Sequence, residues 1–391
     1  MGVLTIKPRA RLFHGHDWVY STEIANATGE LIDGGEVSLK DQRGRFLGVA
    51  IYNSRSQIVA RRYSRQKQDL DQDFFNRRIQ QAVEYRQRRG LLATAECLRL
   101  VWSESDGLPG VIVDQYGPAL VYQTLTKAMD DRREMIENAL KNVLNPQVIV
   151  ERNDAPVRAA EGMEPRIGVV HGELPDLLPV KLGQLAFHIN LLAGQKTGFY
   201  LDQAESYGEV AAFAEGRRVL DCFSNQGAFA LFCKAAGATD VTAVESSEEC
   251  MRLAADNAKR NQLEVTWRED NAFDYLKNAE KGNAEFDLVV LDPPSFTRNR
   301  SKLNEAMRGY KEIHLRSMKL LRPGGILATF CCSHHVSSDE FLECIADAAV
   351  DARCSLRLLK RLGQAQDHPV LLHIPETEYL KGYIFELVPG R

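Results

Sequence analysis

The sequence predicts an α/β protein in three parts, whose carboxyl-terminal half is a parallel sheet covered by helices. Three observations support this. The length of 391 residues suggests two or three domains of ordinary size. Short strands separated by turns fill the first 67 residues, and strands alternate with helices from residue 185 onward. We place the domains at residues 1–70, 71–184 and 185–391.

The composition is that of a folded, water-soluble protein, with 44% hydrophobic and 26% charged residues. No apolar run approaches the roughly 18–20 residues that cross a bilayer, and charges at Lys7, Arg9, Arg11 and Asp17 interrupt any signal-peptide core. Eight cysteines are too few for a disulfide framework, and no pair of Cys-x2-Cys spacings predicts a zinc site. We therefore expect a cytoplasmic protein with reduced thiols, no membrane partner and no bound metal.

The amino-terminal segment is basic although the whole chain carries a net charge of −4. Residues 1–67 contain 11 Lys and Arg against 6 Asp and Glu, whereas the remainder contains 38 against 47. Strands are predicted at 37–39, 46–52 and 58–63. Arginines in and beside the turns, interleaved with aromatic residues, suit RNA phosphates and exposed bases; they are Arg43, Arg45, Arg61 and Arg62. A solvated charged rim on a small barrel stays open as the alternative.

The central segment is predicted to be an α+β domain that follows a polar helix over 69–90. Phe74, Phe75 and Ile79 recur at helical spacing along one side of that helix. A second helix is predicted over 130–143, among strands at 98–102, 111–115, 120–124, 147–151 and 166–170.

The carboxyl-terminal segment has the strand–helix alternation of a Rossmann-like domain. Strands are predicted at 218–222, 241–245, 265–268, 286–292 and 325–332, and helices at 228–236, 247–261, 303–321 and 338–349. In such a domain, ligands bind outside the carboxyl ends of the parallel strands. We therefore expect the active site at these strand ends.

The turn after the first of these strands favours a nucleoside ligand without a pyrophosphate. It contains one glycine, Gly227, where a dinucleotide fingerprint has three, so NAD is disfavoured. Small side chains near that glycine suit S-adenosylmethionine, with Asp221, Phe223, Ser224 and Asn225 as candidate contacts. An ordinary tight strand-to-helix turn is the alternative.

Polar residues also end the next two strands. Glu245 stands 24 positions beyond Asp221, where an acid can accept both ribose hydroxyls. Asp270 and Asn271 follow the third strand and are candidates for bonding the adenine amino group. Each residue taken alone is more typical of a helix cap, but polar ends on three consecutive strands favour a cofactor site.

The fourth and fifth strands end in residues that suggest the chemistry. Asp292-Pro293-Pro294-Ser295-Phe296 follows a buried strand, and its prolines fix an extended turn that leaves Asp292 facing the cleft. Motifs of this kind recur in methyltransferases that act on amino groups or bases. The fifth strand ends in Cys331-Cys332-Ser333, which places a thiol beside that turn as a candidate nucleophile.

Seven motifs spread along the chain also occur together in one known family. They are Lys196-Thr197-Gly198-Phe199-Tyr200-Leu201-Asp202-Gln203, Cys222-Phe223-Ser224, Asp292-Pro293-Pro294-Ser295-Phe296, Arg308-Gly309-Tyr310-Lys311, Cys332-Ser333, Asp367-His368-Pro369 and Glu378-Tyr379-Leu380-Lys381-Gly382. In order and spacing the chain resembles the bacterial 23S ribosomal RNA 5-methylcytosine methyltransferases. The resemblance implies a PUA-like β-barrel domain at the amino terminus and a class I methyltransferase domain at the carboxyl terminus.

The resemblance implies roles for individual residues. Cys332 would attack C6 of the target cytosine, and Asp292 would hold or protonate N3 while also lining the cofactor site. Lys196, Thr197 and Gly198 join the expected contacts to S-adenosylmethionine. Many RNA 5-methylcytosine enzymes have a second cysteine directly after the proline of the fourth strand, but this chain has Ser295 there. Release of the product would therefore use another group or water.

The expected partner is 23S ribosomal RNA or a precursor of the large ribosomal subunit, and a homodimer stays open. Basic residues around the cleft are candidates for the flanking phosphates: Lys196, Arg298, Arg300, Lys302, Arg308 and Lys311. Two alternatives to the cytosine enzyme remain. One is an N7-guanine rRNA methyltransferase, which needs no nucleophile; the other is a non-catalytic RNA-binding factor in ribosome assembly.

Overall fold

The structure is a computed structural model that describes residues 1–194, 196–297 and 300–389, so Arg298 lies outside the described residues. The chain groups into two compact units. The first comprises Met1–Gly183, Ile189–Leu201 and Gln366–Thr377, and the second comprises Gln184–His188, Asp202–Ala365 and Glu378–Arg391. No helix among the described residues is long and apolar enough to cross a membrane.

The described secondary structure contains both strands and helices throughout. The strands are β1 Gly2–Ile6, β2 Trp18–Val19, β3 Ile24–Thr28, β4 Glu36–Asp41, β5 Phe46–Tyr52, β6 Ala60–Ser64, β7 Cys97–Trp102, β8 Val111–Tyr116, β9 Ala119–Thr124, β10 Val148–Asn153, β11 Arg166–His171, β12 Leu178–Leu182, β13 Leu185–Ile189, β14 Arg218–Cys222, β15 Asp240–Glu245, β16 Thr266–Glu269, β17 Phe286–Leu291, β18 Leu321–Cys331, β19 Cys354–Leu362 and β20 Lys381–Pro389. The helices are α1 Gln72–Arg88, α2 Leu91–Thr94, α3 Lys127–Asp130, α4 Arg133–Leu144, α5 Val157–Ala160, α6 Ala204–Ala211, α7 Ala228–Ala235, α8 Glu248–Arg260, α9 Ala272–Lys281, α10 Leu303–Leu320 and α11 Ser338–Asp351.

The first unit contains two separate sheets. A six-stranded sheet has the order β2-β6-β5-β4-β1-β3, and a five-stranded sheet has the order β11-β10-β9-β8-β7. Helix α1 begins at Asp71, whose carboxylate accepts a hydrogen bond from the backbone N of Phe74 at 2.7 Å. Phe74, Phe75 and Ile79 are fully buried in one core with strands β7 to β9. The division of this unit at residue 70 stays a prediction.

The second unit is built on one seven-stranded sheet with the order β16-β15-β14-β17-β18-β20-β19. The first five strands pair in parallel, as the sequence predicts, and β20 and β19 pair antiparallel at one edge. Because β14, β15, β17 and β18 are parallel neighbours, the segments that follow them leave the same edge of the sheet.

The sequence prediction lacks five elements of the second unit among the described residues: β13, α6, α9, β19 and β20. In β19, Leu356, Leu359 and Leu362 are spaced by three, which fits a helix, whereas Leu356 and Leu358 are spaced by two, which fits a strand. Pairing with β20 over eight positions makes this segment a strand. Local pattern does not determine such an edge strand, because the partner that stabilises it lies elsewhere in the chain.

Arg86 is fully buried in the first unit although it carries a permanent charge. Its guanidinium forms an ion pair with Asp106 at 2.6 Å and donates to the backbone oxygens of Arg99 and Asp367 at 2.9 and 2.7 Å. Removing one partner of a buried ion pair leaves the other charge without compensation, which costs about 3–5 kcal/mol.

We expect Arg86→Met to lower the free energy of unfolding by about 3–5 kcal/mol, because Asp106 then keeps a buried charge without its partner. Urea titration followed by circular dichroism measures this quantity. Arg88 lies on the same helix with 69% of its side chain exposed, so Arg88→Met is the matched control. Equal losses of stability in the two variants would contradict the role that we assign to the buried ion pair between Arg86 and Asp106.

Candidate active site at the strand ends

The turn between β14 and α7 has an unusual backbone. Phe223 and Asn225 have φ angles of +63° and +50°, and Gly227 has φ +81°. Positive φ costs free energy in residues other than glycine, so other contacts must hold this turn in place. A Cβ atom at position 227 would lie 2.6 Å from the ring of Trp267, which makes glycine necessary there.

Asp221 stabilises the turn through hydrogen bonds to its carboxylate. Its Oδ2 accepts hydrogen bonds from Ser224 Oγ at 2.6 Å and from the backbone N of Ala230 at 3.1 Å. Its Oδ1 is buried without a hydrogen-bond partner. Burial raises the pKa of Asp221 to about 7, although the bonds from Ser224 and Ala230 oppose the shift.

Glu245 ties the turn to the neighbouring strand. Its Oε2 accepts from the backbone N of Asn225 at 2.9 Å, and its Oε1 accepts from the backbone N atoms of Ser246 and Ser247 at 2.8 and 2.9 Å. A carboxylate has about four acceptor positions, so Oε2 keeps capacity for a further donor. The structure therefore brings together the ends of β14 and β15.

The end of β16 lies next to that of β15, because the backbone N of Asp270 donates to the oxygen of Glu245 at 3.1 Å. Asn271 caps α9, since its Oδ1 accepts from the backbone N of Phe273 at 2.9 Å. The cap occupies the amide oxygen of Asn271 and leaves its NH₂ group as the available hydrogen-bonding group. Asp270 is half-buried.

An aromatic cluster links the turn after β14 to the Asp-Pro-Pro turn. The ring of Phe223 lies 6.3 Å from those of Phe273 and Phe296, centroid to centroid. The ring of Phe296 lies 4.6 Å from that of Tyr310 on α10. Asp292 is half-buried; it directly follows β17 and precedes Phe296 of this cluster in the chain. Ser295 donates its hydroxyl hydrogen to the oxygen of Thr297 at 2.7 Å.

The two adjacent cysteines at the end of β18 have different environments. Cys331 is fully buried, and its Sγ lies 3.4 Å from the hydroxyl of Tyr310. Cys332 is half-buried and directly follows the strand. Leu291 of β17 pairs with Thr329 of β18, so Asp292 and Cys332 both emerge from this pair of neighbouring strands.

Lys381 and Tyr379 have no predicted role in the sequence, yet the structure brings both to this region. Lys381 donates from Nζ to the oxygens of Ser333 and Val336 at 2.6 and 2.9 Å. Tyr379 donates from its hydroxyl to Asp202 Oδ2 at 2.6 Å, and its ring lies 5.5 Å from that of His334. Their motifs were visible in the sequence, but no local pattern indicates which atoms they contact.

The segment that contains Lys196, Thr197 and Gly198 belongs to the first unit. Thr197 is fully buried and donates from Oγ1 to Asp114 Oδ2 at 2.6 Å. The ammonium of Lys196 lies 4.5 Å from the ring centre of Tyr200. At Gly198, where φ is +145°, an added Cβ would lie 2.8 Å from the side chain of Leu191.

The arginines expected to contact RNA fall into two groups. Arg43 and Arg45 are exposed in the turn between β4 and β5, where Asp41 Oδ1 accepts from both of their backbone N atoms. Arg308 is also exposed, on α10, and Lys311 pairs with Asp351 at 2.9 Å.

Arg61 and Arg62 are instead held in ion pairs, with only 13% and 6% of their side chains exposed. Arg61 bonds Glu104 at 2.5 Å and lies 5.0 Å from the ring centre of Trp18, and Arg62 bonds Asp17 at 2.6 Å. A guanidinium already paired and buried has few donors left for a phosphate, so this placement argues against direct RNA contacts from these two residues.

Comparison with known proteins identifies related families. Residues 4–65 match a PUA-like domain, and residues 170–385 match the S-adenosylmethionine-dependent methyltransferases. The protein named ribosomal RNA large subunit methyltransferase I from Shigella boydii is 38% identical over 377 residues, which covers 95% of each chain. Its namesake from Erwinia tasmaniensis is 37% identical over 382 residues, 96% of each. The chain belongs to the ribosomal RNA large subunit methyltransferase I family.

Solved structures agree with this fold. A structure from Streptococcus mutans, described as a SAM-dependent methyltransferase, covers 99% of this chain and all of its own, with a TM-score of 0.86 and 22% identity. A methyltransferase complexed with SAH gives a TM-score of 0.87 at 22% identity and the same coverage. The predicted α/β fold, the PUA-like amino-terminal domain and the dependence on S-adenosylmethionine are therefore confirmed.

We expect the buried carboxyl of Asp221 to make this family member less stable as pH rises. The unfolded carboxyl loses its proton near pH 3.9, whereas the folded one, with its pKa raised to about 7, keeps it longer. Between these values the native state binds more protons, so the free energy of unfolding falls with pH until about pH 7. The substitution Asp221→Asn removes this pH-dependent contribution to the free energy of unfolding.

Urea unfolding of wild type and Asp221→Asn at pH 5, 6, 7 and 8 measures the effect. The stability of the variant relative to wild type should increase with pH up to about pH 7, by a few kcal/mol at most. Asp347→Asn, at an exposed carboxylate on α11, is the matched control. A pH-independent difference for Asp221→Asn, or an equal trend in the control, would contradict the assignment.

Proposed function

We propose that this protein transfers a methyl group from S-adenosylmethionine to C5 of a cytosine in 23S ribosomal RNA, with Cys332 as a covalent nucleophile. One observation carries the proposal. The half-buried thiol of Cys332 directly follows β18, and Asp292 directly follows the neighbouring strand β17. The named activity of the relatives supports ribosomal RNA as the substrate.

The cofactor site is proposed to form around the turn after β14. Bound S-adenosylmethionine supplies an electrophilic methyl group on a sulfonium. Glu245 Oε2, with remaining acceptor capacity, would bind a ribose hydroxyl, and Asp270 with the NH₂ group of Asn271 would face the adenine. The close backbone at Gly227 and the unpartnered Oδ1 of Asp221 also fit a polar ligand here. Phe223, Ser224, Asn225 and Asp292 complete the proposed contacts within the second unit.

The nucleophile is needed because C5 of a neutral cytosine reacts poorly with electrophiles. Cys332 loses its proton to solvent, and the thiolate forms a bond to C6 while the electrons of the C5–C6 double bond move toward C5. A hydrogen bond or proton from Asp292 at N3 offsets the negative charge that develops on the ring.

The activated cytosine completes the cycle in two further steps. C5 forms a bond to the methyl group, and the sulfonium leaves as the neutral thioether of S-adenosylhomocysteine. A base then removes the C5 proton, the C5–C6 double bond re-forms, and Cys332 leaves as a thiolate. Ser295 has no thiol, and its hydroxyl donates to Thr297, so we assign the removal of the proton to water or another group.

We expect Cys332→Ala to lower the rate of methyl transfer to 23S ribosomal RNA at least about a thousandfold, because the covalent step is lost. Incorporation of labelled methyl groups, followed by mass mapping of the modified nucleotides, measures both rate and product. Wild type should also form a stable adduct with RNA that contains 5-fluorocytosine, since the fluorine cannot leave as a proton does. Cys332→Ala should form none.

Cys354→Ala is the matched control, because Cys354 is a half-buried thiol on β19 that contacts Met318 at 3.8 Å. It should keep both activity and adduct formation. Methyl transfer by Cys332→Ala at the wild-type rate would overturn the proposal, and modified guanine in the product would favour an N7-guanine enzyme. Binding of RNA with no methyl transfer by wild type would favour a non-catalytic assembly factor.

Four basic residues are proposed to contact RNA phosphates: Arg43, Arg45 and Arg308, which are exposed, and Lys311, which is half-buried. We expect Arg43→Glu to weaken binding to 23S ribosomal RNA fragments and to reduce the slope of log affinity against log salt by about 1, because one phosphate contact is lost. Filter binding at several salt concentrations measures the slope. Arg88→Glu, at an exposed position on α1, is the matched control, and equal slopes in all three proteins would contradict the contact.

A further inference from the structure

Lys381 holds the chain that follows Cys332. It is the first residue of β20 and pairs with Cys331 in the antiparallel register of β18 and β20. Its Nζ donates to the backbone oxygens of Ser333 and Val336 at 2.6 and 2.9 Å. One ammonium thus bridges two carbonyls on the segment that leaves the strand directly after the thiol, which restricts where Cys332 can lie.

The ammonium of Lys381 also contributes charge close to this thiol. Burial lowers the pKa of Lys381, and the opposing contributions come from Cys331, Cys332, Glu378 and Glu340. Lys381 and Cys332 are therefore within electrostatic range of each other. A positive charge near a cysteine favours the thiolate over the thiol.

We propose that Lys381 is a positioning residue for Cys332, which it serves by fixing the segment Ser333–Val336 and by stabilising the thiolate with its charge. The inference rests on the proposed function, since it explains how the nucleophile is prepared. It also gives a role to the motif Glu378-Tyr379-Leu380-Lys381-Gly382, whose chemistry the sequence left unassigned.

Other charged and titratable groups also lie around the Cys332 thiol, and the carboxylates among them oppose the effect of Lys381 on the thiol. Glu340 on α11 and Glu378 before β20 interact with the same ammonium, and Asp292 follows the neighbouring strand β17. Tyr310 on α10 interacts with both Cys331 and Cys332. The carboxylates disfavour a thiolate, whereas the ammonium of Lys381, which donates to the segment after the thiol, favours it. His334 and His335 of the same segment are exposed.

The first experiment titrates the thiol itself. Alkylation by iodoacetamide is followed from pH 6 to pH 10 without RNA, and fragment-ion mass spectrometry separates Cys332 from Cys331. We expect Lys381→Met to raise the apparent pKa of the Cys332 thiol by about one unit, so that alkylation near pH 7 slows about tenfold. Lys381→Arg, which keeps the charge, should stay closer to wild type.

The second experiment follows methyl transfer over the same pH range. For Lys381→Met, kcat should be reduced about tenfold at pH 7 and should recover toward the wild-type value as the pH rises, while KM for RNA stays unchanged. A purely structural role would lower kcat by the same factor at every pH. Lys319→Met is the matched control, because Lys319 is a lysine on α10 that pairs with Glu280 away from this segment.

A third variant keeps the proposal testable if Lys381→Met fails to fold. Glu340 is half-buried and its carboxylate has the opposite charge to Lys381. Glu340→Gln can keep the cap on α11, because glutamine also occurs at this position of a capping box. It should shift the alkylation pKa of Cys332 downward. Unchanged alkylation pKa values in Lys381→Met, or in Glu340→Gln when the former does not fold, would overturn the inference.

The two proposals can fail separately. Methyl transfer that survives Cys332→Ala would remove the proposed covalent function, whatever the titration of the thiol shows. Loss of activity in Cys332→Ala, together with identical alkylation profiles for wild type and Lys381→Met, would keep the function and remove the role of Lys381.

Discussion

Parallel pairing of β14, β15, β17 and β18 is the constraint on which the candidate site depends. Each of these strands ends at the same edge of the sheet, so residues far apart in sequence emerge side by side. The carboxylate of Glu245 adds a direct bond between two of these ends, because it accepts from the backbone of the turn after β14. That bond and the aromatic contacts of Phe223 and Phe296 hold a turn whose backbone would otherwise be unfavourable.

Most of the parallel sheet could be predicted from the sequence, because its strands are short apolar runs separated by helices with clear periodicity. The strand at 218–222 was located to the residue. The antiparallel edge could not be predicted in the same way. The leucine spacing in β19 fits either kind of element, and the pairing of β20 with β18 joins segments about 55 residues apart.

Some features of the candidate site could be predicted from residue types, whereas others depend on how the chain packs. Polar strand ends and the Asp-Pro-Pro turn indicate a candidate site at the carboxyl edge of the sheet, and the structure brings those strand ends together at that edge. Residue type alone did not separate exposed arginines from buried ones: Arg43 lies in an open turn, whereas Arg61 and Arg62 are paired with carboxylates. Nor could sequence reveal that Lys381 bonds to the carbonyls after Cys332, because such contacts depend on the register of the two strands.

The contacts of Glu104 affect whether the amino-terminal sheet can fold on its own. Burial disfavours the charge of this carboxylate, yet Arg61, Ser103 and Trp18 keep its pKa below the usual range. Trp18 and Arg61 come from β2 and β6, and Val49, Ile51 and Tyr63 share one apolar core with α1 and β7. A fragment cut at residue 70 would separate Glu104 from Trp18 and Arg61, which donate to it, and would uncover that apolar face on both pieces. The PUA-like domain and the segment that follows it are therefore better purified as a single folding unit.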